Sequence, residues 1–301
     1  MKTGIIAVGE TALELCLAQP NTYDIRAGGA ALGTATICAS LGMEAGCIGM
    51  AGKDPFGTLL AQLTHHTSVQ NQCIYNRKSS TCFTAYDYSG TASFVCGDAN
   101  AMLTSKDIAA PLAGSISHAK YLYVGGAHSL TRLLPHLQSL LRYAARQGAI
   151  PVLDIGDGIS NDSGQSHSYL RAALAHAELC ICRKTSFLTL WNARNIDEGF
   201  ARLRTVSACT IVLYDDMQGA CGMQMLHKIS VPPFRKVPTA NTLAFNAYAA
   251  GILKAIDRGL PLREVLKVGS IVAAVSSSQR SLPTLDEVQH LYNSTYAHIT
   301  L

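Results

Sequence analysis

Residues 28–57 read GGAALGTATICASLGMEAGCIGMAGKDPFG, and the order of glycines and apolar runs in this stretch decides the fold. After the paired glycine, Ala30–Leu41 has small or apolar residues at most positions, which predicts a buried helix, and Gly42 follows as a helix C-terminal glycine does. Apolar residues resume at Ala45–Met50, which predicts a strand, and Pro55–Leu63 predicts the next helix. Helix, strand and helix in close succession indicate a layered α/β protein.

Outward from this stretch, strand-like apolar runs alternate with helical ones through most of the chain. The predicted strands are Thr3–Val8, Tyr121–Val124, Ile150–Leu153, Leu179–Cys182 and Thr210–Tyr214. The further predicted helices are Ser129–Gln147, Leu243–Arg258, Pro261–Ser276 and Leu285–Tyr292. Such alternation implies crossover connections and a mostly parallel central sheet covered by helices, that is, a three-layer α/β/α fold.

A small β unit interrupts this alternation between residues 69 and 96. Thr81–Tyr88 and Thr91–Cys96 alternate in character and enclose Ser89-Gly90, which is typical of a β-hairpin. We find no internal repeat, low-complexity run or linker in the rest of the chain. The pattern therefore predicts one α/β domain with a small β lid.

Composition narrows the class of protein. The 301 residues are 48% hydrophobic and 15% charged, which predicts a folded chain with a sizeable core. The net charge of +4 is scattered, and the apolar windows are short, so we expect neither nucleic acid nor membrane as a partner. Most of the ten cysteines stand singly among apolar residues, and Cys180 and Cys182 have only His176 nearby. We therefore predict no metal site, and a reduced protein in the cytoplasm.

The quoted stretch resembles the first signature of the ribokinase-like, or PfkB, family of sugar and nucleoside kinases, down to its ending Gly52–Gly57. Val237–Leu253 resembles the second signature, and Arg280–Val288 resembles the family's C-terminal ending. The resemblance implies a single ribokinase-like domain over residues 1–301, with a lid formed by about residues 10–27 and 68–98. It also implies a sugar or nucleoside ligand, and a homodimer formed through the lid.

The catalytic turn of the family is altered in this chain. Family kinases have Gly-Ala-Gly-Asp here, in which the aspartate takes the proton of the sugar hydroxyl and the turn holds the transferring phosphate at a helix N-terminus. By alignment on Phe245, the anion turn becomes Ala240, Asn241 and Thr242, and the aspartate becomes Leu243. Leucine accepts no proton, and loss of a general base costs about 10²- to 10⁴-fold in rate.

The metal and nucleotide motifs of the family are altered as well. The asparagine and glutamate that organise magnesium fall on about Arg183 and Ser186. The nucleotide loop falls on Tyr214–Gly219, in which Asp215 and Asp216 would repel phosphates by about 4 kcal/mol per unit pair at 4 Å. The nucleotide-binding candidates that the resemblance implies are Arg183, Tyr214, Asp216 and Gly219. Arg183 either pairs with a phosphate or is a solvated charge at a strand end.

The sugar-binding positions are partly retained. The family's aspartate at the first strand corresponds to Glu14, which still accepts hydrogen bonds, and its asparagine after the glycine pair corresponds to Gly33, which has no side chain. Asp54 either contacts ligand or holds the turn between strand and helix. The substrate-binding candidates are Glu14, Gly28, Gly29, Gly33, Asp54 and Asn100.

Three hypotheses about function follow. The first is a pseudokinase that has lost most or all phosphoryl transfer and acts as a ligand-binding, scaffolding or regulatory module. The second is an active kinase that uses ATP and Mg²⁺, with Asp154 or Asp157 as a substitute base at the cleft. The third is a structural subunit that pairs through the lid. Only the second requires a cofactor.

Overall fold

Two β-sheets organise the part of the chain that the computed structural model describes, which comprises residues 2–20, 22–87, 92–156, 159, 164–234, 242–278, 281–296 and 299–301. The larger sheet contains β1 (Thr3–Gly9), β4 (Ala45–Gly52), β5 (Gln70–Asn76), β8 (Ala119–Gly125), β9 (Ile150–Asp154), β10 (Leu179–Arg183), β11 (Thr210–Asp215), β12 (Gly219–Gln224) and β13 (His227–Val231). The smaller sheet contains β2 (Ala12–Gln19), β3 (Thr22–Gly28), β6 (Phe83–Tyr86) and β7 (Ala92–Cys96).

The larger sheet has the order β13-β12-β11-β10-β9-β8-β1-β4-β5 in the described chain. Neighbours from β5 to β11 pair in parallel, whereas β12 and β13 complete one edge as antiparallel strands. In the smaller sheet, of order β3-β2-β6-β7, only β2 and β6 are parallel. The predicted α/β class with a mostly parallel sheet is confirmed.

The helices cover both faces of the larger sheet, because two separate hydrophobic clusters lie on either side of it. They are α1 (Ala30–Ser40), α2 (Pro55–His65), α3 (Ala99–Met102), α4 (Ser105–Ser115), α5 (Leu137–Arg146), α6 (Gly164–Leu174), α7 (Lys184–Trp191), α8 (Ile196–Arg204), α9 (Thr242–Asp257), α10 (Leu262–Ser278) and α11 (Leu285–Thr295). Helices α1, α9 and α10 belong to one cluster, and α4 to α8 to the other. None of the helices in the described ranges is long and apolar enough to span a membrane.

The helix predicted over Ser129–Gln147 is wrong in its first half. The structure has two short 3₁₀ helices, Ala127–Ser129 and Leu134–His136, before α5 begins at Leu137. Pro135 lies in the second of them, and a proline disfavours helical geometry in the residue before it. The continuous helix is therefore limited to the ten residues after the proline turn.

The predicted extent of the lid needs one correction. The sequence predicts a lid that includes about residues 68–98, but β5 (Gln70–Asn76) pairs in parallel with β4 along its length and forms an edge of the larger sheet. Backbone pairing with a distant strand decides this placement, since the side chains of β5 are mostly exposed or half-buried. The lid sheet thus takes only β6 and β7 from this region, together with β2 and β3.

Candidate functional site

The candidate site lies at the edge of the larger sheet where the parallel strands end and where α1 and α9 begin. After β1, the Glu10 carbonyl accepts a hydrogen bond from Ala31 N (3.0 Å), which fixes the start of α1 beside that strand. After β10, the Arg183 guanidinium lies 5.2 Å from the ring of Phe245 in the first turns of α9. Ligands of open α/β sheets bind in the crevice outside the carboxyl ends of the strands.

At one end of this crevice, Arg183 and Asp216 form a buried ion pair. Arg183 Nη1 lies 2.5 Å from Asp216 Oδ2, and the side chains are 9% and 7% exposed. Lys184 Nζ lies 3.5 Å from Asp215 Oδ2, so the second carboxylate of this loop also faces a cation. The sequence predicted that the two aspartates would repel phosphates, but the structure pairs each of them with a basic side chain from the neighbouring strand end.

Aromatic rings enclose the guanidinium of Arg183. Tyr214 stacks on Tyr248 with ring centroids 4.5 Å apart, and the Arg183 guanidinium lies over both Tyr214 and Phe245. Burial, followed by the charge of Asp216, raises the pKa of Tyr214 above its ordinary value, so the phenol stays neutral. Tyr214 is thus part of the core between β11 and α9.

The backbone conformation at position 219 favours glycine. Its φ is +92°, and a Cβ there would lie 2.3 Å from the Val231 carbonyl oxygen. Glycine adopts this left-handed conformation without the penalty that a side chain adds. The residue therefore permits the turn into β12.

At the other end of the crevice, Glu14 packs its carboxylate against the glycine pair. Glu14 is 1% exposed, and its Oε1 accepts a hydrogen bond from Gly29 N (3.0 Å). A Cβ on Gly28 would lie 2.2 Å from Glu14 Cδ, so only glycine leaves room for this carboxylate. Burial raises the pKa of Glu14, and the Gly29 hydrogen bond and the charge of Arg26 offset part of that increase.

A residue that the sequence analysis did not select fills the space beside Gly33. A Cβ on Gly33 would lie 2.6 Å from Asn246 Nδ2, and this nitrogen donates to the Gly29 carbonyl at 3.4 Å. Asn246 is 1% exposed and follows Phe245 in the second signature. Its position in that signature was the available signal, but its contact with α1 depends on how the helices pack.

Asp54 and Asn100 make contacts internal to the fold. Asp54 is the N-cap of α2 and accepts from Gly57 N (2.7 Å) and Thr81 N (2.8 Å). Burial raises the pKa of Asp54, but these two donors, together with the Thr81 hydroxyl and the Phe56 amide, outweigh it and leave the pKa below its ordinary value. Asn100 Oδ1 accepts from Thr11 N at 3.0 Å. Both side chains hold the segments that connect the lid to the larger sheet.

The Asp154 carboxylate is fully buried and accepts its hydrogen bonds from groups inside the protein. Its carboxylate accepts from Tyr123 Oη (2.8 Å), Gly156 N (2.7 Å) and Gly126 N (3.3 Å). A carboxylate held in this way orders the two glycine turns after β8 and β9, and it has no surface with which to reach a ligand. The structure therefore disfavours Asp154 as a substitute base.

The remaining predicted residues lie at the limits of the described chain. Asp157, Ala240 and Asn241 are outside the described residues. Thr242 and Leu243 are the first two residues of α9, so the position that the sequence predicts for the family's base lies in the first turn of this helix. Among the described residues, no group of three or more His, Cys, Asp or Glu side chains is arranged to hold a metal ion.

Comparisons with known proteins agree with this architecture. The family model described as pfkB family carbohydrate kinase matches residues 2–286. A fructokinase from Klebsiella pneumoniae is 25% identical over 285 residues, which cover 87% of this chain and 90% of that protein.

Solved structures show the same fold at low sequence identity. A fructokinase with bound ATP from Xylella fastidiosa aligns with a TM-score of 0.80 at 18% identity, covering 97% of this chain and 98% of the other. An aminoimidazole riboside kinase from Salmonella enterica, complexed with its riboside and an ATP analogue, aligns with a TM-score of 0.76 at 17% identity, covering 96% and 99%.

Proposed function

This chain belongs to the pfkB family of carbohydrate kinases, and we propose that it retains a ligand-binding cleft but has lost most or all ATP-dependent phosphoryl transfer. The observation that carries this proposal is the buried ion pair between Arg183 and Asp216. The pair lies at the strand ends where the resemblance to family kinases implies magnesium and nucleotide. In this role the protein is a pseudokinase that binds a sugar or nucleoside and acts as a scaffold or regulatory module.

The charges at this end of the cleft do not suit Mg²⁺-bound nucleotide. Magnesium requires oxygen ligands, whereas the side chain at the end of β10 is a guanidinium whose positive charge repels a divalent cation. The carboxylate of Asp216 is already paired, and separating it from Arg183 would break a buried ion pair, which is costly. Phosphoryl transfer depends on positioning and electrostatic stabilisation, and these side chains provide neither for ATP.

Proton transfer also lacks an evident base among the described residues. Leu243 stands at the family's aspartate position, and Asp154 is buried and bonded to Tyr123 and two backbone amides. The sequence alternative to Asp154 is Asp157, which lies outside the described residues. Loss of the base and of the metal platform together supports a pseudokinase over a slow kinase.

Two further parts of the proposal concern assembly and location. Tyr23 and Ile25 on β3 of the lid are 45% and 42% exposed, and exposed apolar side chains on a sheet favour self-association, so we expect a homodimer through the lid. Replacing Ile25 with Glu should yield a monomer in sedimentation velocity.

All ten cysteines are free thiols, which supports a reducing compartment such as the cytoplasm.

The alternative proposal is an active sugar kinase that uses ATP and Mg²⁺. The 25% identity to a fructokinase over most of the chain favours fructose as the first substrate to test. Calorimetric titration of the protein with ATP and Mg²⁺, alone and with a sugar and nucleoside panel, separates the two proposals. We expect no ATP binding, together with background turnover in a coupled ADP assay. Tight ATP binding with fructose-dependent ADP release would establish the alternative.

A further inference from the structure

A cavity away from the crevice lies between α6, α7 and α8. It has a volume of about 410 Å³ and is lined by Arg171, Trp191, Asn192, Arg202 and Thr205, and we call it the Trp191 cavity. Helix α7 begins at the carboxyl end of β10 and ends at Trp191. The eight residues of this helix, about 12 Å in length, therefore separate the cavity from the Arg183 end of the crevice.

Both arginines of the Trp191 cavity are held in place by backbone carbonyls at the end of α7. Arg171 Nε and Nη2 donate to the Leu190 carbonyl at 3.0 and 2.5 Å. Arg202 Nη1 donates to the carbonyls of Trp191 (2.7 Å) and Asn192 (2.9 Å). Because these three carbonyls belong to consecutive residues, the two guanidiniums lie close together.

Each guanidinium retains donors that these carbonyls do not use. A guanidinium has five N–H groups in a fixed plane. In the described part of the chain, Arg171 Nη1 and Arg202 Nε donate to no protein acceptor. Donors that are already fixed in one orientation lose little conformational entropy when they bind a ligand.

The arginines around the Trp191 cavity carry more positive charge than their partners neutralise. Among the described residues, Glu198 is the one carboxylate that pairs with them, and it is shared by Arg202 (2.6 Å) and Arg194 (3.4 Å). Arg171 forms no ion pair within the same ranges. The carbonyl end of α7 supplies only about half a negative charge. The three arginines therefore exceed the negative charge of their partners by more than one unit, which favours an anion.

Capping of α7 accounts for only part of this arrangement. Basic side chains commonly bind the last carbonyls of a helix, and one of them is enough to offset the half charge at that end. Capping does not explain why a second guanidinium is brought beside the first, where like charges repel, nor why both line a cavity. A bound anion explains both features.

We propose that the Trp191 cavity binds a phosphate group, either as inorganic phosphate or as part of a phosphate monoester, through Arg171 and Arg202. The planar guanidinium matches the spacing of phosphate oxygens, and a group with nearly two negative charges offsets both arginines, which a single carboxylate does not. The Asn192 amide lines the same cavity and supplies a neutral donor. This site is separate from the crevice, so the proposal does not depend on the proposed function.

Trp191 is the only tryptophan of the chain, so its fluorescence reports on this cavity without a label. The test is titration of the whole protein with potassium phosphate at constant ionic strength, with potassium acetate as the charged control. We expect phosphate to change the fluorescence saturably and acetate to leave it unchanged. Fructose 6-phosphate, compared with fructose, provides the ester. Saturation by the ester alone would identify a monoester as the ligand, and saturation by inorganic phosphate would show that the phosphate group suffices.

Arg171→Gln and Arg202→Gln should each weaken this binding by about tenfold or more, because each removes charge-assisted hydrogen bonds. Arg171→Lys keeps the charge without the planar fork, so we expect a smaller loss. Arg142→Gln is the matched control, since Arg142 is an exposed arginine on α5 that does not line the cavity, and its affinity should equal that of the wild type. Melting temperatures in chloride report folding, and the exposed Arg202 carries the test if Arg171→Gln does not fold.

A wild-type protein that responds to neither inorganic phosphate nor the ester, or that responds equally to acetate, would overturn the proposal. So would an equal loss of affinity in Arg142→Gln and Arg202→Gln, because it would indicate an effect of net charge alone. Calorimetry of the same variants is the second readout: phosphate binding that no folded Arg171 or Arg202 variant weakens would lie elsewhere in the protein. The proposed function is judged separately by the ADP assay, whose outcome leaves this proposal unaffected.

Discussion

The guanidinium of Arg183 and the carboxylate of Asp216 meet 2.5 Å apart, across two adjacent parallel strands, with less than a tenth of either side chain exposed. Each charge offsets part of the cost of burying the other. In water both would be solvated, so the pair exists because β10 and β11 bring their ends together. This relationship gives the first of four predictions.

Replacing Asp216 with Ala should destabilise the protein by about 3–5 kcal/mol, because the Arg183 guanidinium would remain buried without its partner. Urea unfolding followed by circular dichroism measures this change. The double variant Arg183→Met with Asp216→Leu should be near the wild type in stability, since it buries no charge. Equal losses in the single and double variants would contradict this account of the pair.

Restoring an aspartate at the family's base position should not restore activity. Leu243→Asp supplies a proton acceptor, but a base contributes its factor of about 10²–10⁴ only when metal and phosphate are in place. We expect fructose-dependent ADP release to stay at background in this variant.

Leu243→Asn is the control for Leu243→Asp, because it has similar size and polarity but accepts no proton from a hydroxyl. A hundredfold higher turnover in the aspartate variant than in the asparagine variant would mean that the nucleotide end of the cleft is competent. The proposed pseudokinase would then be wrong.

Glu14 should make the folded protein less stable as pH rises. Its pKa is raised in the folded protein, chiefly by burial, so the native state binds more protons than the unfolded chain between the ordinary and the raised pKa values. The contribution of Glu14 to stability is therefore present below its ordinary pKa and is lost as pH rises through the raised pKa. Glu14→Gln removes this dependence, so its stability relative to the wild type should increase as pH rises above the ordinary glutamate pKa of 4.5.

The pH dependence of stability that Asp54 contributes has the opposite sign to that of Glu14. Burial raises the pKa of Asp54, but its hydrogen bonds, including those from Thr81 and Gly57, lower the pKa by more, so the net pKa lies below its ordinary value. The stabilising contribution of Asp54 is therefore present above its ordinary pKa and is lost as pH falls through the lowered pKa. Urea unfolding of Asp54→Asn and the wild type measures it in a series that extends below the ordinary aspartate pKa of 3.8. A Glu14→Gln variant whose stability runs parallel to the wild type above the ordinary glutamate pKa would contradict the raised pKa of Glu14.

Gly28 should tolerate no side chain. Gly28→Ala would put a Cβ 2.2 Å from Glu14 Cδ, and the Gly29 hydrogen bond keeps the carboxylate in place, so we expect a loss of about 1–3 kcal/mol. Gly114→Ala in α4 is the matched control, because nothing lies within 4 Å of the added carbon; it should gain about 0.5–1 kcal/mol.

Thermal unfolding of the two glycine variants in the wild-type and Glu14→Ala backgrounds tests the cause. The loss in Gly28→Ala should largely disappear when Glu14 is absent, because the two side chains then no longer compete for one space. A loss of the same size in both backgrounds would place the strain in the backbone.

The sequence by itself determined the α/β class, the succession of strands and helices, and the family. These features depend on local signals: a glycine after an apolar run ends an element wherever it occurs, and the order of such signals in residues 28–57 is specific. The same local signals predict that Leu243 stands at the family's base position, because a signature is aligned without reference to packing. It failed at Ser129–Gln147, where a proline separates turns from the helix.

Only the tertiary structure decided how the altered residues are used. Arg183 and Asp216 are 33 residues apart, and Gly29 and Asn246 are 217 apart, so their contacts depend on strand order and on how α9 packs against α1. Burial likewise keeps Asp154 from acting as a base, although its place at the end of a strand is typical of a cleft residue. Hydrogen bonds and charges act through space over a few ångströms, whereas spacing along the chain specifies only near neighbours.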